Sequence, residues 1–119
     1  MATMNTVIEY VDGVKPNAYS DDDKYRWINT LEGLVSREVF NEDAPSYKLP
    51  DDADKTLRVA EPYSDIYHLY VSAMIDFYNR EYNDYNNAIL MFQERLEQYK
   101  AWHIRNSKYK PSNFRRVMG

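Results

Sequence analysis

Residues 62–102 read PYSDIYHLYVSAMIDFYNREYNDYNNAILMFQERLEQYKAW. Tyr63, Ile66, Tyr67, Tyr70, Met74, Phe77 and Tyr78 recur mostly at three- and four-residue intervals, and Val71, Ala73 and Ile75 widen the stripe. A helix apolar on several sides is usually a central one. Pro62 fits its first turn, where the missing N–H costs nothing, and the pattern predicts a helix running to about Tyr82. Tyr85, Ala88, Ile89, Phe92, Leu96, Tyr99 and Trp102 form a second stripe, with Glu94, Arg95, Glu97 and Lys100 on the other side. That stripe predicts a further helix to about Ser107. Asn83-Asp84 between the stripes can cap or interrupt, and Asn83, Asn86 and Asn87 are poor helix formers. The two stripes form either one kinked rod or a helix hairpin, and the hairpin is favoured because it buries both faces at once.

Upstream, Ser20-Asp21-Asp22-Asp23 is the clearest start signal in the chain. The Ser20 hydroxyl can cap orphan N–H groups, and three acids suit the positive end of the helix dipole. Ser20 and Asp23 approximate a capping box. Trp27, Ile28, Leu31, Leu34, Val35 and Val39 follow at helical spacing and predict a helix from Asp21 to about Asn41. A shorter helix, Thr6 to about Val14, is expected from Val7, Ile8, Val11 and Val14, capped by Asn5 or Thr6, with Pro16-Asn17 as the connection. Residues 42–61 break the pattern with Pro45, Pro50 and the run Asp51-Asp52-Ala53-Asp54. They read as an acidic loop in which Ser46–Leu49 and Thr56–Val59 could pair as a short β-hairpin. A loop of this length in a small domain is usually functional or ordered on assembly. The fold class is therefore all-α: a small bundle of about four helices with a long antiparallel hairpin. Residues 1–107 form the helical domain and residues 108–119 a basic tail without periodicity.

Composition removes most enzyme classes. The chain has 119 residues and no cysteine, which excludes disulfides, thiolate nucleophiles and iron–sulfur clusters. Three glycines are too few for a phosphate-cradling loop, and two histidines leave little room for zinc. His68 and His103 lie 35 residues apart, with no metal-binding spacing. His68 reads as a packing residue and His103 as a helix C-terminal cation. Asp21–Asp23 lack the glycine and distal glutamate of a calcium loop. Asp76 and Glu81 alone among the acids fall inside an aromatic-rich helix. Asp76 reads as outward-facing or paired with Arg80. No catalytic residue, metal or cofactor is expected. No apolar run approaches the roughly 20 residues of a membrane span, and no signal peptide is recognisable at Met1–Thr6.

Charge is unevenly placed. Residues 1–65 hold 14 acids and 7 bases, a balance of −7, and residues 66–119 hold 5 acids and 8 bases, a balance of +3. From His103 onward there are five Lys/Arg and no acid. Tyr109 and Phe114 interleave with these bases, a composition that suits an acidic partner or nucleic acid, although no nucleic-acid-reading motif accompanies it. Twelve tyrosines supply rigid, amphipathic side chains suited to half-buried packing and to interfaces.

In segment order the chain resembles the small head–tail connector (adaptor, head-completion) proteins of tailed phages and prophages. The resemblance covers about residues 5–105. It rests on Val7-Ile-Glu-Tyr-Val-Asp, Lys15-Pro-Asn-Ala-Tyr-Ser and Lys24-Tyr-Arg-Trp-Ile-Asn-Thr-Leu-Glu-Gly. Further on it rests on Pro62-Tyr-Ser-Asp-Ile-Tyr-His-Leu-Tyr, Ala73-Met-Ile-Asp-Phe-Tyr-Asn-Arg-Glu-Tyr, Tyr85-Asn-Asn-Ala and Met91-Phe. The acidic loop 42–61 and the basic tail depart from the better-known members. The resemblance implies a non-enzymatic virion protein: a ring, commonly of twelve copies, under the portal, extending the channel for double-stranded DNA and docking the next neck or tail component. Its implied location is the virion neck, with host cytoplasm during assembly. Its implied partners are the portal, neighbouring copies and the next neck protein, with no membrane.

Arg105, Lys108, Tyr109, Lys110, Phe114, Arg115 and Arg116 are the expected contacts to the portal or a neighbouring subunit, and Tyr47, Leu49 and Leu57 the candidate loop contacts. The alternatives are a tail-completion or assembly accessory protein, or a small regulatory protein-binding module.

Overall fold

The computed structural model describes residues 2–107. Four helices follow in order: α1 Met4–Val14, α2 Asp21–Glu38, α3 Asp65–Tyr78 and α4 Tyr82–Ser107. There is no strand among the described residues.

α1 starts two residues earlier than the Asn5 or Thr6 cap would place it. Thr3 is the cap: its hydroxyl accepts from Thr6 N–H at 3.1 Å, and Thr6 Oγ1 accepts from Thr3 N–H at 2.9 Å. This reciprocal pair satisfies two donors at once. Met4, Val7, Ile8 and Val11 form the buried face, while Val14, expected on it, is 60% exposed at the helix end. α2 begins as predicted, with Ser20 Oγ accepting from Asp23 N–H at 3.2 Å. It stops at Glu38 rather than Asn41, because Asn41 turns left-handed at φ 55°. Asparagine tolerates that conformation better than most residues. Tyr25, Trp27, Ile28, Leu31 and Val35 are buried, whereas Leu34 is 38% exposed.

α3 is central, as its all-round stripe predicts: it packs against α1, α2 and α4, and the backbone of α4 comes close to α3 alone among the helices. Ile66, Tyr67, Val71, Ala73 and Ile75 are buried. Pro62 lies in the turn ahead of α3, after a cis peptide, rather than in its first turn. α3 ends at Tyr78, four residues short of expectation. Arg80 takes a left-handed φ of 62°, and the Glu81 N–H returns to the Asp76 carbonyl at 2.9 Å. Tyr82 then opens α4.

The favoured hairpin is therefore the observed one. Its antiparallel register is visible in the ring pairs Phe77–Tyr85, Tyr70–Phe92 and Tyr63–Tyr99, and in the Asp65–Arg95 ion pair at 3.0 Å. On α4 only Phe92, Leu96 and Tyr99 are buried, at spacings of four and three. That is a narrow seam rather than a broad face.

Residues 42–61 form turns instead of a hairpin. The backbone groups that would have paired two strands are used elsewhere. Lys48 N–H donates to the Asp52 carboxylate at 2.7 Å and Asp52 N–H to the Lys48 carbonyl at 2.7 Å. Leu57 N–H donates to the Ala2 carbonyl at 2.8 Å, and Asn5 N–H to the Ala53 carbonyl at 3.2 Å. Ala53, Leu57 and Val59 are buried and join the core of α1, α2 and α3. The segment is ordered within the single chain because it brings its own apolar anchors.

Candidate functional site

Two polar knots define how the helices meet. The first surrounds Glu32, which is on α2 and has no exposed surface. Its Oε2 accepts from Tyr47 Oη–H at 2.8 Å and from Arg58 N–H at 3.1 Å, and its Oε1 accepts from Tyr67 Oη–H. Tyr67 Oη in turn accepts from Val59 N–H at 2.9 Å. Arg58 reaches Ser36 Oγ at 3.3 Å and Glu42 at 2.6 Å, and its guanidinium lies 4.4 Å over the Phe40 ring. Burial, followed by the nearby Glu32 charge, pushes the Tyr67 phenol far above the ordinary tyrosine range. Burial and the Glu32 hydrogen bond do the same to Tyr47. A carboxylate fully satisfied by two phenols and an amide is a structural clasp.

The second knot ties the end of α1 to its neighbours. Lys24, almost fully buried, donates to Asp12 at 2.7 Å. Asp76, also buried, lies 2.7 Å from the Lys15 ammonium. The expectation that Asp76 faces outward or pairs with Arg80 is thus corrected: α3 turns it inward, and the pairing cation comes from the α1–α2 connection. Glu81 and Asp84 approach the same carboxylate, their ligand oxygens lying within 4.8 Å of one another. The Lys15 ammonium already neutralises the buried member, and the other two acids are exposed.

The expected loop contacts are turned inward. Leu57 is 3% exposed and belongs to the core. Tyr47 is half-buried and commits its hydroxyl to Glu32, and Leu49 packs half-buried against the core. Their apolar surface is used within the chain. Arg105 lies exposed in the last turn of α4. Lys108, Tyr109, Lys110, Phe114, Arg115 and Arg116 lie outside the described residues. His68 packs on Tyr10 at 4.7 Å between ring centroids, and burial holds its imidazole below the ordinary histidine range. His103 lies in the last two turns of α4, its ring edge-on to Phe40 at 5.0 Å.

One open surface among the described residues is aromatic. α2 contributes Trp27, Asp23, Arg26 and Thr30, the turn before it contributes Tyr19, and α3 contributes Tyr70, Met74 and Tyr78. Together they line a groove of about 360 Å³. Tyr78 stacks on Trp27 at 5.6 Å and 7°, Tyr19 meets Trp27 edge-on at 5.6 Å, and Tyr19 Oη–H donates to Asn79 Oδ1 at 2.9 Å. Phe77, Tyr78 and Tyr82 continue the patch around the α3–α4 turn and are 41%, 55% and 54% exposed.

Sequence reading assigned Trp27, Tyr70, Met74, Phe77 and Tyr78 to core stripes and did not single out Tyr19. The available signal was the i, i+4, i+8 alignment of Tyr70, Met74 and Tyr78, which puts them on one side of α3. Such a groove can take aromatic, aliphatic or cationic side chains. It holds no nucleophile–base pair. No protein-family model, curated protein or solved structure matches this chain.

Proposed function

We propose that this chain is a structural assembly subunit of the head–tail connector kind. It would form a ring under the portal of a tailed phage, extend the DNA channel and dock the next neck or tail component. The observation that carries the reading is the exposed aromatic groove and patch at the α3–α4 turn, at the opposite end of the hairpin from the basic terminus of α4. A ring subunit needs two unlike surfaces that meet head to tail and close, and rigid aromatic side chains are the usual anchors of such contacts. The resemblance over residues 5–105 supplies the kind of assembly. The acidic balance of the N-terminal half supports a channel wall that repels phosphate and lets DNA slide.

The test is electron microscopy of lysates from a phage or prophage lacking this gene, beside the complemented strain. Free tails beside unjoined heads that have lost DNA are expected. Normally joined virions would overturn the connector reading and favour an accessory or regulatory role.

A further inference from the structure

We propose that residues 108–119 of one copy dock into the Tyr19–Trp27–Tyr70–Tyr78 groove of a second copy, linking subunits head to tail. The inference rests on the ring-subunit reading above and names the two surfaces that would meet.

Charge is the first argument. The tail holds Lys108, Lys110, Arg115 and Arg116 and no acid, a balance of +4. The rest of the chain holds all 19 acids and the other 11 of the 15 bases, a balance of −8. At the groove itself, Asp23 lines the wall, and Asp21 and Asp22 stand exposed in the same first turn of α2. Arg26, the one cation in the wall, is already paired with Asp23 at 3.3 Å. The aromatic walls suit Tyr109 and Phe114 by stacking, and Arg115 and Arg116 by cation–π contact.

Reach is the second argument, and it favours a neighbouring copy for a Phe114 seated at the middle of the groove. α3 and α4 are antiparallel, with Tyr70 level with Phe92. Ser107 lies fifteen residues beyond Phe92, about 22 Å at the helical rise. Met74, mid-groove, lies four residues further in the opposite direction, about 6 Å more. Phe114 is seven residues past Ser107 and extends at most about 25 Å. Phe114 therefore falls short of Met74 by axial distance alone, and meets the near edge of its own groove at Tyr70 only when almost fully extended, before crossing from α4 to the α2 side. On a second copy no such limit applies, and the same contact repeated head to tail can close into a ring.

Two full-length variants test this by complementation. Tyr78→Asp spoils the groove at an exposed position and leaves the tail intact. Phe114→Asp combined with Arg115→Glu and Arg116→Glu spoils the tail and leaves the groove intact. Sedimentation over a concentration series should show the parent chain assembling and each variant remaining monomeric. An equimolar mixture of the two should give a heterodimer that grows no further, because one good tail meets one good groove. Circular dichroism unchanged from the parent and restored assembly in Tyr78→Phe would show that Tyr78→Asp acts through the groove rather than through unfolding.

A monomeric parent chain, variants that still assemble or a mixture that stays monomeric would each overturn the docking. The outcome is independent of the microscopy above. Unjoined heads with a monomeric mixture would leave the connector reading and remove the tail–groove contact. Joined virions with a heterodimeric mixture would leave the contact and remove the connector reading.

Discussion

Glu32 carries an ionisable group with no exposed surface, and Tyr47, Tyr67 and Arg58 N–H supply its hydrogen bonds. Removing one donor leaves an acceptor site buried and unfilled. Tyr67→Phe is expected to lower unfolding free energy by about 2 kcal/mol, the range for a bond to a charged group, measured by urea denaturation. Glu32→Ala should cost more, because it strands two phenols and an amide together. The same phenols set an alkaline limit. Burial raises the Tyr47 and Tyr67 pKa values in the folded chain, and those of Tyr25, Tyr70 and Tyr99 also rise. Unfolded tyrosines lose their protons near pH 10, while the folded ones keep theirs. Stability should therefore be fully present below about pH 10 and fall as pH climbs further. A urea midpoint that holds steady through that range would contradict the raised phenols.

Within the elements, backbone conformation gives predictions of opposite chemistry. Gly33 sits inside α2 with an ordinary helical φ, and a Cβ there would meet Ala44 Cβ at 3.5 Å, a normal contact. Gly33→Ala should stabilise by about 0.5–1 kcal/mol through reduced chain entropy. Arg80, by contrast, holds a left-handed φ of 62° in the α3–α4 turn. Arg80→Gly should stabilise by about 1 kcal/mol, because the Cβ crowding of that conformation disappears. Asn41→Gly should change little, since asparagine already tolerates its φ of 55°. Thermal unfolding of the three variants checks the ranking. At this scale the sequence was most readable where the signal is local. Ser20 capped α2 as its spacing with Asp23 predicts, but helix ends at Glu38 and Tyr78 followed the left-handed residues beyond them.

The described residues measure 55 × 34 × 20 Å, a flat shape about two helices thick. α4, 26 residues long, overhangs the 14-residue α3. Its far end is held by Lys100 to Glu38 at 3.4 Å and by Tyr99 and Trp102 against Tyr63. Among the described residues, α1–α4 and residues 42–61 supply a continuous buried core. Deleting residues 108–119 is therefore expected to leave circular dichroism and the thermal midpoint unchanged while abolishing self-association by sedimentation. Loss of helix content on deletion would mean that the tail supports the core.

Residue order by itself determined the elements whose causes lie within a few positions: the helical stripes, the Ser20 start and the antiparallel hairpin of α3 and α4. Hydrogen bonds three or four residues apart and apolar repeats of the same period are written locally. Tertiary structure alone decided what residues 42–61 do, because their anchors are remote. Tyr47 and Arg58 find Glu32 across 15 and 26 positions, and Leu57 binds the carbonyl of Ala2. It also decided that Asp76 and Lys24 are buried, since Lys15 and Asp12 reach them only once α1 is packed. The aromatic groove has the same origin. Tyr19 and Trp27 lie some fifty residues from Tyr70 and Tyr78, and no local pattern brings two such pairs together; the packing of α2 against α3 does.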